Sequence, residues 1–149
     1  KYDDAEKCLK KAIQFKSDMK EAHNDLVMVL RKKGDHKGAL IVCNHALKSH
    51  DADDTLHRNK GNILYALDRP EEALKAFDYA LELNPYVVDT WVNKGTVLWK
   101  AMEMRDEALS AFDKALEINP HFMAAVDSRI NLEAEIKANK PSFFKRIFG

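Results

Sequence analysis

The chain has 149 residues, 46% hydrophobic and 32% charged, enough to bury a core and keep a solvated face. Its 24 basic and 24 acidic residues cancel, which excludes a general basic platform for nucleic acid and leaves no acidic tail. Five glycines and four prolines are too few for a disordered or all-β chain, and no run approaches the ~18 apolar residues of a membrane span.

Residues 1–19 carry Ala5, Cys8, Leu9, Ala12 and Ile13 at helical spacing, which predicts one amphipathic helix. Ala5, Leu9 and Ala12 stand 34 residues before Ala39, Cys43 and Ala46, which stand 34 before Ala73, Phe77 and Ala80. The chain therefore opens on the second helix of a pair, and its first helix is expected upstream of Lys1. Residues 20–53 form the first full unit. One helix presents Leu26, Val27, Val29 and Leu30, Gly34 ends it, Asp35 caps the next, and Ala39, Leu40, Cys43, Ala46 and Leu47 line a second face. Cys8 and Cys43 lie on apolar repeat positions without CxxC or metal-ligand spacing, so both are expected to be buried free thiols in a reduced, cytoplasmic setting.

Residues 54–87 form the second unit. Asn59, Gly61, Ile63, Leu64 and Tyr65 occupy its first helix, Pro70 opens the second, and Asn84 with Pro85 closes it. Glu71 and Glu72 suit the positive end of that second helix. Residues 88–122 form the third unit, in which Asn93, Gly95, Leu98 and Trp99 repeat Asn59, Gly61, Leu64 and Tyr65 at 34 residues. One extra residue then intervenes before Ala108 and fits most easily within 101–105. Residues 123–138 form a capping helix with Val126, Ile130 and Ile136 as its apolar positions and a polar outer side. The tail, residues 139–149, would put Phe143, Phe144, Ile147 and Phe148 on one apolar stripe. That stripe is expected to dock on the last helix, with a neighbouring molecule or a membrane surface as less favoured contacts.

A fixed period of this size marks a stack of helix pairs, each burying its apolar face only against its neighbours. The small residues set the geometry. Gly61 is expected to face Ala73 across its pair and Ala80 the next unit, while Phe77, Phe112, Trp91 and Leu64 fill the spaces between. Gly61, Ala73, Phe77, Ala80 and Pro85, and then Trp91, Gly95, Ala108, Phe112, Ala115 and Pro120, resemble the tetratricopeptide repeat signature. The first unit matches weakly, with Val27 in place of the glycine, Cys43 of the phenylalanine and Asp51 of the proline. The resemblance covers roughly residues 1–138. It implies an all-α, right-handed superhelix of antiparallel helix pairs that serves as a protein-interaction scaffold, with no catalytic activity and no cofactor.

In such a superhelix the first helix of each pair lines the concave side. The repeat phase places Asn24, Arg58, Asn59, Asn62, Tyr65, Asn93, Thr96 and Trp99 there, a set that can hydrogen-bond and pack an extended peptide. The competing reading is a solvated face whose asparagines support neighbouring loops, in a structural or self-associating scaffold. Arg58, Asn62 and Asn93 also resemble the first part of a clamp by which some family members hold the acidic tail of heat-shock chaperones. Its remaining cations would fall at Ala124 and Ser128, and neither is basic. Of the histidines, His23 and His57 share the position of Trp91 and are expected to be packing residues. No histidine or cysteine cluster has metal-ligand spacing. The acidic pairs Asp3 and Asp4, Asp53 and Asp54, and Glu71 and Glu72 sit at helix starts, where the helix dipole accounts for them.

Overall fold

The computed structural model describes residues 2–15 and 19–139; the tail expectation lies outside them. Eight helices follow one another: α1 (Tyr2–Phe15), α2 (Lys20–Lys32), α3 (His36–Leu47), α4 (Asp54–Ala66), α5 (Pro70–Leu83), α6 (Val88–Lys100), α7 (Arg105–Ile118) and α8 (Met123–Asn139). Among the described residues there is no strand. Local chemistry sets the helix ends. The Asp35 carboxylate accepts from the Gly38 amide at 2.8 Å and the Asp53 carboxylate from the Leu56 amide at 2.7 Å, so α3 and α4 both start on aspartate caps. Pro70 occupies the first turn of α5, where its missing N–H costs no hydrogen bond.

The turns within the pairs share one device. Gly34, Asp68 and Glu103 have φ of 80°, 59° and 55°, and a residue in this left-handed region turns the chain out of a helix. In the first two turns an amide five residues on closes the ring, Asp35 to the Leu30 carbonyl and Arg69 to the Leu64 carbonyl. In the third, the Met104 amide reaches back six residues to the Leu98 carbonyl. The extra residue of the third unit is therefore absorbed in the α6–α7 turn, within the stretch the spacing indicated, and the helices themselves keep their phase.

The core is a series of clusters along the chain. Leu26, Val27, Ala39, Cys43, Leu56 and Ile63 join α2, α3 and α4; Leu64, Ala73, Phe77 and Val97 join α4, α5 and α6; Val92, Leu98, Ala108, Phe112, Ala125 and Leu132 join α6, α7 and α8. Phe77 and Phe112 are fully buried. Each lies against a glycine: a β-carbon on Gly61 would stand 2.5 Å from the Phe77 ring, and one on Gly95 would stand 2.6 Å from the Phe112 ring. The expectation set Ala73 against Gly61; the atoms nearest a β-carbon there all belong to the Phe77 ring, which reaches across the pair. In the first unit Val27 fills the glycine position and Cys43 the phenylalanine position, and α2 meets α3 more sparsely than α4 meets α5.

Two further expectations change. Cys43 is buried but Cys8 is exposed; among the described helices α1 packs on α2 alone, so the rest of its surface faces solvent. In α8 the buried residues are Ala125 and Leu132, Ile136 is partly covered, and Ile130 is 56% exposed. Ala125, Leu132 and Ile136 share the stripe facing α7, and Ile130 lies off it.

Neighbouring even-numbered helices touch, α2 with α4, α4 with α6 and α6 with α8, whereas among the described residues no two odd-numbered helices do. The even helices therefore form the inner, concave row of an all-α solenoid, and the odd helices form the outer row.

The glycine contacts lead to a stability prediction. Replacing a mid-helix glycine by alanine ordinarily gains about 0.5–1 kcal/mol, but overpacking a close contact costs about 1–3 kcal/mol. Gly61→Ala should therefore unfold at lower denaturant concentration than the parent, and adding Phe77→Leu should recover part of the loss. Parent-like stability of Gly61→Ala would show that the ring yields without cost. A second prediction concerns Asp53, whose side chain also pairs with Lys20 at 2.9 Å. Burial pushes its carboxyl up, but Lys20 and the Leu56 amide outweigh burial and hold it below its ordinary 3.8. A depressed carboxylate stabilises the fold above its unfolded value, and the contribution disappears as pH falls through the folded value. Asp53→Ala should cost ~0.5–2 kcal/mol at neutral pH, with the gap to the parent closing in acid. Asp53→Asn, which keeps a capping oxygen, should lose only the Lys20 share. Denaturant titrations across pH measure all three proteins; a gap that persists in acid would show that the carboxylate charge is not its source.

Candidate functional site

The inner row brings most of the expected groove residues onto one face and gives them different tasks. Asn59 is 4% exposed. Its amide donates to Asn24 Oδ1 at 3.2 Å and its carbonyl oxygen accepts from Arg31 Nη1 at 3.4 Å. This side chain joins α4 to α2 and is not free to meet a ligand. Thr96 donates to the Val92 carbonyl of its own helix at 2.8 Å. Tyr65 is half-buried and packs on the cluster of Leu64, Ala73 and Phe77.

Trp99 is also committed within the fold. Its indole N–H donates to Glu135 Oε2 at 2.9 Å, its ring meets Phe112 edge-on at 6.4 Å, and Lys100 Nζ lies 3.1 Å from the ring centroid. Arg105 donates to Glu135 Oε1 at 3.1 Å through Nε and reaches the same oxygen at 3.0 Å through Nη2. These donors, Trp99 first and then Arg105, hold the Glu135 carboxyl below the usual range. Trp99 thus fastens α8 to α6 and α7. The repeat phase showed which face it occupies, but no periodicity pairs it with an acid 36 residues away.

Asn62 and Asn93 are half-buried on the same face, and among the described residues neither side chain makes a hydrogen bond within the chain. Arg58 is half-buried too, and its Nε is enclosed without a partner. The groove assignment passed over another residue of α2, Arg31, which reaches Asn59 of α4 at 3.4 Å. Arg31 stands 34 residues before Tyr65, so the phase that selected Tyr65 and Trp99 selects it as well. Burial, and then the positive charge of Arg58, lower the pKa of the Arg31 guanidinium. Arg31 lines a cavity of about 220 Å³ with Met28, Lys32 and His36.

A second, more apolar cavity of about 240 Å³ lies on the outer side between α1, α2 and α3 and includes Ile13, His23, Leu26 and Ile41. The two histidines of the tryptophan position pack as expected. His23 is buried, with Nδ1 2.9 Å from the Met19 carbonyl oxygen, and its ring lies 5.7 Å from that of His45. His57 rests on Tyr79 at 4.4 Å. Among the described residues no group of histidines, cysteines and acids stands ready to hold a metal ion, and no helix is long and apolar enough to cross a membrane.

Comparison with known proteins gives the same architecture. The structure of MamA is 20% identical and superposes with a TM-score of 0.82 over 91% of this chain and 79% of that one. YrrB, described as a TPR protein with an unusual peptide-binding site, is 25% identical, with a TM-score of 0.73 over 93% and 71%. The first TPR of Spaghetti (RPAP3), solved bound to the HSP90 peptide SRMEEVD, is 15% identical, with a TM-score of 0.74 over 79% and 93%. No curated protein sequence matches the chain. Two family matches, each described as a tetratricopeptide repeat, fall on residues 55–86 and 88–122, the stretches that carry the two glycine–phenylalanine contacts. With its helix pairs stacked in register and these two repeats matched, the chain belongs to the tetratricopeptide repeat family.

Proposed function

We propose that the protein is a non-catalytic interaction scaffold that holds a peptide, or an extended segment of a partner protein, against its inner row of helices. The observation that carries this reading is the unmet hydrogen-bonding capacity of that row. Asn62, Asn93 and Arg58 lie on one face with donors and acceptors that no described residue satisfies. Partly buried polar groups of this kind gain from a ligand that supplies the missing partners. An extended peptide suits them, because its backbone offers a carbonyl and an amide at every residue.

The likeness to the RPAP3 domain, at 15% identity, bears on fold alone; its HSP90 peptide and the peptide-binding site described for YrrB are precedents for this use of the architecture. The chaperone-tail clamp is disfavoured. Ala124 and Ser128 carry no charge, and Arg129 is turned away to Asp113 at 2.6 Å and Glu133 at 3.0 Å. A reduced setting belongs to the same reading: Cys43 is a free thiol within the core, and burial pushes its pKa up to about 11. The binding unit comprises residues 1–138, with a half repeat at 1–19, repeats at 20–53, 54–87 and 88–122 and a cap at 123–138.

The test uses Asn62→Ala/Asn93→Ala. Both side chains lie outside the hydrophobic clusters, so the variant should melt with the parent. Each unpaired group left on a ligand costs ~1–3 kcal/mol, so proteins captured by the tagged parent from an extract should no longer be retained. Capture by a folded double variant at parental strength would move the site off the inner row.

A further inference from the structure

Three cavities on the outer side of the stack fall on equivalent repeat positions. The first, of about 240 Å³, lies between α1, α2 and α3 and is lined by Ile13, Leu26, Ile41 and Val42 together with His23 and His45. Leu26 and Ile41 stand 34 residues before Lys60 and Lys75, which line the second cavity. With the inserted residue allowed for, they correspond to Lys94 and Ser110 in the third. There Lys94 also reaches across from α6 to Asp78 of α5 at 2.6 Å. The first unit thus has apolar side chains at two positions where the other units have polar ones. Ile41 is 70% exposed and not isolated. With the other apolar side chains of the cavity it makes a contiguous patch, the kind that marks a docking surface.

Hydrogen bonding at the same place is incomplete. His23 is 2% exposed, and its Nδ1 lies 2.9 Å from the Met19 carbonyl oxygen, which can only accept. Nδ1 therefore donates, and Nε2 of the neutral ring is an acceptor. Among the described residues Nε2 has no partner, so the ring that lines the cavity still lacks a donor. Nor does the repeat pattern supply a cover. The equivalent cavity of the third unit is lined by α5, α6 and α7 and by no residue of α4. The helix expected to pair with α1 takes the place of α4, and would leave the first cavity open.

The chain itself contains a segment of matching chemistry. Residues 142–149, SFFKRIFG, hold three phenylalanines and an isoleucine. An apolar cavity of about 150 Å³ takes a benzene ring, so this one has room for a phenyl side chain packed on Ile41 and the histidine rings. The tail cannot reach the cavity of its own chain. Among the described helices α8 packs on α6 and α7 alone, and the inner row must be crossed through α6 and α4 to reach α2. Each of those three steps is about 8–10 Å, whereas the stretch from Asn139 to Phe143 spans at most about 14 Å. We infer that the first outer cavity receives the aromatic tail, Phe143 to Phe148, of a second copy of this chain. A backbone amide of the entering segment supplies the donor that His23 Nε2 lacks. No described acid lines the cavity, so Lys145 and Arg146 find no partner in it and the contact is apolar. Cavity and tail belong to opposite ends of the stack. The contact is therefore head-to-tail and propagates from copy to copy instead of closing on a dimer. It lies on the outer side and does not depend on the inner-row reading.

The test is sedimentation velocity of the full chain over a range of concentrations. The parent should grow in mass with concentration, at high salt as much as at low. Ile41→Lys places the second unit's residue in the first, and Ile41→Ser places the third unit's, so both should melt with the parent. Each should weaken association roughly tenfold or more, the effect of losing a large buried apolar side chain. Deletion of residues 141–149 should abolish it. Mixed together, the Ile41→Lys chain and the tail-deleted chain should form a one-to-one pair that grows no further, since one brings only a tail and the other only a cavity. A labelled peptide of residues 140–149 should bind the tail-deleted chain in fluorescence anisotropy, a readout that holds even if a variant at position 41 fails to fold. A parent that stays monomeric to about millimolar concentration, association undiminished in folded Ile41→Lys and Ile41→Ser, mixed chains that stay apart, or a peptide that does not bind would each overturn the inference. So would a monomeric parent whose melting temperature falls on tail deletion, which would seat the tail on its own chain. Loss of binding to anionic lipid vesicles on deletion, with no change in mass, would overturn it in favour of a membrane contact.

Discussion

An aromatic ring pressed on a bare helix backbone sets the geometry of this molecule. Phe77 on Gly61 and Phe112 on Gly95 leave no room for a β-carbon. The contact brings α4 against α5 and α6 against α7 at close range, and alanines at 73, 80, 108 and 115 let the neighbouring helices follow. The first full unit solves the same problem in reverse. Val27 supplies the bulk and Cys43 gives it up, and both are fully buried. The exchange keeps the space filled but loses the ring-on-backbone approach, and α2 and α3 meet more sparsely.

Once the pairs are closed, stacking follows from what each leaves uncovered. Leu56 and Ile63 of α4 complete the cluster begun by α2 and α3, and Val97 of α6 completes the one begun by α4 and α5. Stability is thus distributed along the chain in nearest-neighbour steps. The ion pairs that cross between helices, such as Lys33 with Glu6 and Lys94 with Asp78, are partly exposed to solvent. Exposed pairs of this kind are worth about 0–1 kcal/mol each, so they orient the helices more than they hold them.

The same stacking divides the polar residues of the inner row. Where two even helices touch, a polar side chain is drawn into the joint. Asn59 bonds back to α2, and Trp99 is fastened to α8 by Glu135. Where the row is open, Asn62, Asn93 and Arg58 Nε are left without a hydrogen-bond partner among the described residues. The binding reading therefore rests on a few side chains that the fold leaves unsatisfied rather than on the whole concave face.

The repeat period, the helix pairs, the cap at Asp35, the prolines at helix ends and the place of the inserted residue were all legible in the order of amino acids. Each depends on interactions within one helix or turn, or on a spacing that recurs three times. The identity of Gly61's neighbour, the exposure of Cys8, the turn of α8 that leaves Ile130 outside and the capture of Trp99 by Glu135 were decided only in the tertiary structure. A helical phase specifies which face a residue occupies, but not what the next helix presents to it. Asparagines at repeated positions look alike in sequence: Asn59 bonds to Asn24 and Arg31 of the preceding unit, whereas the Asn93 side chain makes no hydrogen bond to a described residue.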